Sequence, residues 1–215
     1  MKNIAIIGAS GFVGSALLKE ALNRGHRVTA IARNPEKITI DHPNLIIRRG
    51  DVMNPDTVKE LVEGLDAVIS AYNPGWTNPE LYRDTMKAYP SILEGCKKAG
   101  VKRLLIVGGA GSLLINGVRL IDMGVLEETI LPGAKALAEI LYSLRENEKE
   151  IDWVFFSPAA NVAPGERTGK YRLGKDNLVT DAEGESKISV QDYAVAMIDE
   201  LEVPQHHFER FTIGY

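Results

Sequence analysis

The fold of this chain is decided by residues 3–14, which read Asn-Ile-Ala-Ile-Ile-Gly-Ala-Ser-Gly-Phe-Val-Gly. Residues 3–7 are apolar almost throughout, which is typical of a strand buried on both faces of a parallel sheet. Residues 15–24 carry leucine and alanine at helical spacing, and Gly25 follows them as a C-cap glycine would. The stretch therefore predicts a strand, a glycine-rich turn and a helix.

The turn has the spacing Gly-x-x-Gly-x-x-Gly. Gly8 permits a tight exit from the strand, Gly11 lets the backbone approach a pyrophosphate, and Gly14 lets the helix pack closely. The free N–H groups and the dipole of the helix start favour phosphate. A tight turn without a ligand is the alternative, but its position at the first strand of a βαβ unit favours a nicotinamide dinucleotide. The predicted cofactor-binding residues of the turn are Gly8, Ala9, Ser10, Gly11, Phe12 and Val13.

Strands and helices alternate along most of the chain, which indicates βαβ units with right-handed crossovers. The predicted strands are 3–7, 27–32, 45–49, 66–70, 102–107 and 151–156. The predicted helices are 15–24, 56–63, 80–99 and 132–148. We therefore expect an α/β fold with a Rossmann-like, doubly wound parallel sheet. A single NAD(P)-binding domain is expected over residues 1–215, with the cofactor-binding core ending near residue 157.

Residues 158–215 depart from this pattern and form the predicted substrate-side segment. Residues 161–186 are rich in glycine and charge and have little helical period, so we expect short strands that cover a substrate cleft. Ser189-Val190-Gln191-Asp192 resembles a capping box with Asp in place of Glu and predicts a helix that ends near Glu202. Residues 208–213 are predicted as the last strand.

Composition limits the partners of the protein. The net charge of the 215 residues is -4 and there is no block of basic residues, which argues against nucleic-acid binding. No apolar run approaches the roughly 20 residues that span a bilayer, and no signal-peptide cleavage site follows the N-terminus. We therefore expect a cytoplasmic protein that does not bind membranes, as a monomer or a homodimer.

The cysteine and the histidines predict no disulfide and no metal site. The single cysteine, Cys96, has apolar neighbours at helical spacing and is expected to be a buried structural thiol. His26 precedes a strand, and His42 lies in a loop. His206 and His207 would face opposite ways on a strand, which makes them a poor pair of metal ligands.

The end of the second predicted strand distinguishes the two nicotinamide cofactors. An NAD site uses a carboxylate there to bind the ribose hydroxyls, but residues 30–35 read Ala-Ile-Ala-Arg-Asn-Pro and contain no acid. Arg33 stands where a 2′-phosphate would lie, and its planar guanidinium suits phosphate. The sequence favours NADP, bound as NADPH, over NAD. A solvated surface arginine is the other interpretation of Arg33.

The glycine turn, Arg33 and the segment Gly50-Asp51-Val52 together resemble the atypical short-chain dehydrogenase/reductase superfamily. A closer resemblance covers nearly the whole chain. The segments Leu104–Leu113, Ser157–Ala160 and Pro164–Arg172 look like those of a bacterial group of candidate NADH-flavin reductases. The biliverdin-reductase-B-like flavin reductases are more distant relatives of that group.

This resemblance implies further cofactor contacts at the carboxyl ends of strands, where ligands bind in open α/β sheets. Asp51 and Val52 would meet the adenine, although an aspartate in such a position is also a common turn former. The contacts implied beside the riboses, the pyrophosphate and the nicotinamide are Ser70, Ala71, Tyr72, Val107, Gly108, Gly109, Ser157, Pro158 and Ala159.

The superfamily uses Tyr-x-x-x-Lys on the helix after the fifth strand, a spacing that puts both side chains on one helical face. The resemblance matches Lys135 to this lysine, which makes it a predicted catalytic and cofactor-binding residue. Leu131 then stands at the tyrosine position and cannot transfer a proton. Tyr142 is expected to pack. Ser112 is the second predicted catalytic residue, with a loop serine that bonds local backbone as the alternative.

The missing tyrosine argues against a secondary alcohol as the substrate and favours an acceptor that takes its proton from solvent. Tyr72 and Trp76 offer either an aromatic wall for such a ring or a hydrophobic plug under their loop. The sequence thus predicts an NAD(P)H-dependent oxidoreductase that reduces a flavin, a quinone or a similar small conjugated acceptor. A non-catalytic NADP sensor is the alternative, and an isomerase or epimerase ranks last. Lys135 favours the enzyme, because a sensor need not hold the nicotinamide ribose.

Overall fold

Strands and helices alternate through residues 1–215, all of which the computed structural model describes. The strands are β1 (Asn3–Ile7), β2 (Arg27–Ala32), β3 (Leu45–Arg49), β4 (Ala67–Ser70), β5 (Arg103–Val107), β6 (Leu114–Ile115), β7 (Val118–Arg119), β8 (Asp152–Ser157), β9 (Asn161–Ala163), β10 (Arg172–Gly174), β11 (Lys187–Ser189) and β12 (Glu209–Gly214). The helices are α1 (Phe12–Asn23), α2 (Pro55–Val62), α3 (Leu81–Lys98), α4 (Leu131–Asn147) and α5 (Val190–Glu202).

Eight strands form one sheet in the order β3-β2-β1-β4-β5-β8-β12-β10. Every neighbouring pair is parallel except β10 and β12, which are antiparallel at one edge. The chain leaves β1 towards β2 and β3 and then returns to the other side of β1 with β4. The order of the strands reverses there, so a crevice opens beyond the carboxyl ends of β1 and β4. The predicted Rossmann-like, doubly wound fold is confirmed.

The two faces of the sheet carry separate hydrophobic cores. Ile4 and Ile6 of β1 pack in the core beneath α1 and α5, and Ala5 and Ile7 pack in the core beneath α2, α3 and α4. Successive strand side chains point to opposite faces, so a strand covered on both sides is apolar at every position. This is why residues 3–7 show a continuous apolar run and no alternation.

The predicted helix ends are close to the observed ones. Gly25, Gly64 and Gly100 adopt positive φ directly beyond α1, α2 and α3, as expected of residues that end helices. Ser189 caps α5, because its hydroxyl accepts the backbone N–H of Asp192 at 3.0 Å. α1 begins at Phe12, three residues before the predicted start, because Gly11 is already its N-cap.

The segment from β9 to β11 contains the predicted short strands, but it packs on helices. Asp192 of α5 is fully buried and accepts the N–H groups of Thr168 and Gly169, both at 2.8 Å. Its other oxygen accepts the hydroxyls of Thr168 at 2.6 Å and of Tyr215 at 2.8 Å. Arg167 extends the attachment with hydrogen bonds to Glu20 of α1 at 2.7 and 2.8 Å. These contacts hold the segment against α1 and α5.

His206 and His207 lie in the turn before β12 and not on the predicted strand. His206 contacts Glu200, His207 contacts Asp152, and both carboxylates bind the largely buried Arg103. The two histidines therefore belong to one ion-pair cluster at the amino ends of β5 and β8. Their role there is structural.

Cys96 is fully buried in α3, where burial raises the pKa of its thiol to about 12. The predicted structural thiol is confirmed, because a thiol in this environment stays protonated at neutral pH. No helix of the protein has both the length and the apolar character that a membrane crossing requires.

Asp192 predicts an acid-sensitive attachment of the segment. Burial alone would raise the pKa of Asp192, but the hydrogen bonds from Thr168, Gly169 and Tyr215 outweigh it and hold the pKa below its usual value. A carboxyl with a lowered folded-state pKa stabilises the fold above its unfolded pKa of about 3.9 and loses that contribution as pH falls further. We expect Asp192→Asn to lower the free energy of unfolding by about 2 kcal/mol at neutral pH.

The difference between wild type and Asp192→Asn should shrink as pH falls below about 4, by at most about 1.4 kcal/mol per pH unit. Urea unfolding at several pH values between about 7 and 3 measures it. The exposed Asp41→Asn is the matched control and should follow the wild-type curve. Parallel curves for wild type and Asp192→Asn would contradict the expectation.

Candidate functional site

A cleft of about 780 Å³ opens at the crevice between β1 and β4. Its floor is made by residues at the carboxyl ends of four strands, represented by Ile7, Ala71, Val107 and Pro158. Binding sites for small molecules usually have volumes of about 300–1,000 Å³, so this cleft lies in the upper part of the range. It is large enough for an extended ligand.

Backbone packing explains two of the three glycines in the turn after β1. Gly8 has a φ of 77°, and a Cβ there would lie 2.5 Å from the carbonyl oxygen of Ala71. A Cβ on Gly14 would overlap the carbonyl oxygen of Gly8. Gly11 differs, because its Cβ would have one close neighbour only, the Gly8 oxygen at 3.3 Å. Since Gly11 lines the cleft, its missing side chain leaves room for a ligand.

The start of α1 offers unpaired donors to the same place. Gly11 supplies no side-chain cap, and the first turn of α1 contains no acidic residue. The first helical hydrogen bond runs from the Ser15 N–H to the Gly11 carbonyl at 2.9 Å. The N–H groups before Ser15, together with the helix dipole, therefore form a natural anion site. Ser10, Phe12 and Val13 line the cleft as predicted, whereas Ala9 is buried in the core below.

A basic rim lies beyond β2. Arg33 lines the cleft together with Asn34 and Lys37, and no acidic side chain lines the cleft anywhere. The Arg33 guanidinium donates to the Pro74 carbonyl at 3.2 Å, which holds it across the cleft mouth. Arg33 was predicted from the sequence, whereas Asn34 and Lys37 were not. Lys37 lies in a short 3₁₀ turn, Pro35–Lys37, that carries it back to the cleft.

Beyond β3, the two predicted adenine contacts separate. Val52 is buried and lines the cleft. The Asp51 carboxylate accepts the Met53 N–H at 3.1 Å and does not line the cleft. The turn-forming alternative for Asp51 is therefore the one the structure shows.

The predicted contacts at the other strand ends divide in the same way. Ser70 and Ser157, the last residues of β4 and β8, are fully buried and do not line the cleft. The predicted residues that do line the cleft are Ala71, Tyr72, Val107, Gly108, Gly109, Pro158 and Ala159.

Ser112 is not a cleft residue. It is almost fully buried, and its hydroxyl accepts a hydrogen bond from Arg210 at 3.0 Å. Arg210 is held in turn by Asp176. Ser112 therefore fixes the turn after β5 to the sheet, and the predicted catalytic role is not supported by its position.

α4 presents a different face to the cleft from the one predicted. The residues that line the cleft are Ile130, Ala134 and Leu137, which follow one another at helical spacing. Lys135 is exposed and lies about 130° round the helix from this face, at about 100° per residue. The positions on this face that have the Tyr-x-x-x-Lys spacing are Ile130 and Ala134, one residue earlier than Leu131 and Lys135, to which the sequence resemblance matched the motif. Neither Ile130 nor Ala134 has a side chain that can transfer a proton or hold a ribose.

The cleft is covered by residues 113–130, which we call the cover segment, and not by residues 161–186. The cover segment contains the β6–β7 hairpin, a 3₁₀ turn at Leu120–Asp122 and the approach to α4. Its side chains in the cleft are apolar, namely Leu120, Val125, Leu126 and Ile130. Of residues 161–186, only Val162 lines the cleft. The cover segment has no periodic pattern that would have revealed it in the sequence.

Tyr72 and Trp76 have different roles. Tyr72 is nine-tenths buried, and burial raises its pKa to about 12, so it acts mainly as the plug of its loop. Trp76 lines the cleft with half of its surface exposed and rests near Gly133 at the start of α4. Of the two interpretations given above, Trp76 therefore fits an aromatic wall of the cleft.

Comparison with known proteins assigns the cleft to a ligand class. The sequence model of the NAD(P)H-binding family matches residues 8–203. The chain belongs to the NAD(P)H-binding family. The match begins at Gly8, so it includes the glycine turn, the basic rim and α4, and the cofactor class of the family is a nicotinamide dinucleotide.

Several relatives match over nearly the whole chain. A crystal structure of a candidate epimerase from Bacteroides thetaiotaomicron is 60% identical with a TM-score of 0.94, and the match covers 100% of this chain and 97% of that one. A candidate NADH-flavin reductase from Streptococcus pneumoniae is 36% identical with a TM-score of 0.84, covering 100% and 99%. The uncharacterised protein YwnB of Bacillus subtilis is 42% identical, covering 98% and 97%. The predicted resemblance to the bacterial group of candidate NADH-flavin reductases is confirmed.

Substitutions of Gly14 and Gly11 should have two different phenotypes. Gly14→Ala should destabilise the protein by about 1–3 kcal/mol, because its methyl group would press on the Gly8 backbone. Gly11→Ala should cost less than about 1 kcal/mol of stability but weaken NADPH binding at least about tenfold, because its methyl group would meet the diphosphate. Thermal unfolding and titration of NADPH fluorescence measure the two effects. Unchanged NADPH affinity in Gly11→Ala would contradict the placement of the diphosphate.

Proposed function

We propose that this protein is an NADPH-dependent reductase that transfers a hydride to a flavin, a quinone or a similar conjugated acceptor. One observation carries the proposal. The cleft has a polar half suited to a dinucleotide and an apolar half, between Trp76, the cover segment and α4, that contains no ionisable side chain on the α4 face. An apolar slot suits a planar ring that needs no protein acid.

The polar half fits a dinucleotide from one end to the other. The start of α1 would bind the diphosphate, and Val52 would contact the adenine. Gly108, Gly109 and Pro158 would border the nicotinamide half with backbone and small apolar surface.

The basic rim supports NADPH over NADH. Arg33 and Lys37 both line the cleft, and no carboxylate is present to bind the 2′- and 3′-hydroxyls of an NAD ribose. A 2′-phosphate there would receive two charge-assisted interactions.

When bound, the reduced nicotinamide supplies a hydride to the acceptor, which takes up one proton from solvent to complete its two-electron reduction. The contribution of the chain is position. Trp76 and Leu137 would hold the acceptor ring against the nicotinamide, and Leu126 and Ile130 would exclude water from the contact. Correct placement of two reactants is by itself a large source of acceleration.

A non-catalytic NADP sensor is the second candidate, and the position of α4 favours it. In the sequence, Lys135 favoured an enzyme, but in the structure this side chain is exposed and does not line the cleft. The remaining argument for catalysis is the apolar slot, since a sensor needs no second binding site next to the cofactor. The Bacteroides relative is described as a candidate epimerase, but Ile130 and Ala134 leave α4 without the acid/base pair such chemistry uses.

Turnover with a panel of acceptors tests the proposal. Purified protein is mixed with NADPH and, in turn, flavins, quinones and redox dyes, and the loss of nicotinamide absorbance is followed. We expect turnover with at least one planar acceptor and a loss of at least about tenfold in kcat/KM for that acceptor in Trp76→Ala. The exposed Tyr82→Ala should leave turnover unchanged. Tight NADPH binding without turnover of any acceptor would favour the sensor.

Variants of the basic rim test the choice of cofactor. Arg33→Ala and Lys37→Ala should each weaken NADPH binding about tenfold or more and leave NADH binding nearly unchanged, because only NADPH carries the phosphate they would bind. Arg27→Ala is the matched control, since Arg27 is exposed at the first position of β2, whereas Arg33 follows the last position of that strand. A wild type that binds NADH more tightly than NADPH would overturn the assignment.

A further inference from the structure

Charge is distributed unevenly along the cleft. The cationic side chains that line it are Arg33 and Lys37, and both lie at the end assigned to the 2′-phosphate. The acceptor half is lined by Phe12, Trp76, Tyr193, Ala134, Leu137, Val162 and the four apolar side chains of the cover segment. An acceptor that carries a phosphate would therefore find no cation in this half of the cleft.

The other cations near the acceptor half are already paired. Arg119 of the cover segment binds Asp122 at 2.5 Å and lies over the ring of Tyr142. Arg145 and the buried Arg210 both bind Asp176. Lys135 lies on the far side of α4 from the cleft. The three arginines are thus held by carboxylates, and Lys135 is turned away from the cleft.

The cover segment also carries negative charge. Glu127 and Glu128 are exposed and stand between Leu126 and Ile130, both of which line the cleft. Neither carboxylate forms a salt bridge, and the Glu127 carbonyl accepts the N–H groups of Ile130 and Leu131 at 3.1 Å, which fixes the backbone there. Two exposed carboxylates without a salt-bridge partner therefore lie in the short stretch of chain between two residues of the apolar slot.

We propose that the acceptor is an uncharged, unphosphorylated ring, and that Glu127 and Glu128 discriminate against phosphorylated flavins such as FMN. This inference rests on the proposed reductase function. A phosphate monoester carries a charge of about −1.5 to −2 at neutral pH. It would be repelled by the two glutamates and would lose solvation without gaining a cationic partner. Riboflavin has the same ring system without the phosphate, so it pays neither cost.

Riboflavin and FMN give a matched test. With NADPH at low ionic strength, we expect kcat/KM for riboflavin to exceed that for FMN by at least about tenfold. The rate with FMN should rise with added salt, because salt screens the repulsion, and the rate with riboflavin should not. In Glu127→Gln/Glu128→Gln, the riboflavin preference should shrink to within about threefold.

Glu60→Gln/Glu63→Gln is the control. Both residues are exposed at the end of α2 and do not line the cleft. The two substitutions remove the same amount of negative charge as Glu127→Gln/Glu128→Gln. This variant should keep the wild-type preference. Flavin fluorescence titrations of the protein–NADP⁺ complex measure the dissociation constants of riboflavin and FMN for the same variants. This measurement does not depend on turnover.

The outcomes separate the two proposals. Binding or reduction of FMN that equals or exceeds that of riboflavin at low salt would overturn this inference and leave the reductase intact. A riboflavin preference that survives unchanged in Glu127→Gln/Glu128→Gln would overturn the assigned role of the glutamates. Preferential binding of riboflavin without reduction of any acceptor would support this inference and contradict the reductase.

Discussion

The molecule depends on a contact between backbones that have no side chains between them. Gly8 lies against the carbonyl group of Ala71 at the end of β4, and Gly14 of α1 lies against the carbonyl group of Gly8. Three chain segments meet there at a distance that any Cβ would increase. The contact fixes the start of α1 directly above the point where the strand order reverses. Every wall of the cleft is built around that point, and the donors of α1 face into it.

The chemistry of the site depends on the rotation of a single helix. α4 follows the expected strand and has the expected length, but the face it turns to the cleft is Ile130, Ala134 and Leu137. A shift of one residue along a helix is a rotation of about 100°. That rotation leaves Lys135 exposed to solvent and places the aliphatic side chains of Ile130 and Ala134 at the cleft. The face of α4 at the cleft therefore has no side chain that could transfer a proton.

Features of the fold that depend on a local pattern of residues could be predicted from the sequence. The apolar run at residues 3–7, the helix-ending glycines and the cap at Ser189 each reflect a physical requirement of a single element, and each was found where predicted. Arg33 and the glycine turn could also be predicted as cleft residues, because each follows directly after a strand in the sequence.

Features that depend on packing between distant segments were not predictable in this way. Whether Ser70 and Ser157 reach the cleft depends on how far each strand runs inside the sheet. Ser112 carries a pattern compatible with catalysis, but Arg210, 98 residues away, determines its position. The cover segment has no periodic pattern of apolar residues that would reveal it. Residues 161–186 were predicted to cover the cleft instead, because nothing in the sequence shows that Asp192 binds them to α5.

The apolar lining of the acceptor half has a consequence for how sharply this protein can choose among rings of similar size. Sites that recognise a substrate through directed hydrogen bonds reject analogues by about 10⁴–10⁵, because a wrong ligand leaves buried polar groups unpaired. A slot made of aliphatic and aromatic surface has no such groups, and one methylene more or less changes selectivity only about 10–200-fold. In the proposed reductase, the apolar side chains of Trp76 and the cover segment would therefore select the shape and thickness of a ring, and selection by charge would be left to Glu127 and Glu128. Such a site would have a broad substrate specificity, and a range of planar molecules would compete for it.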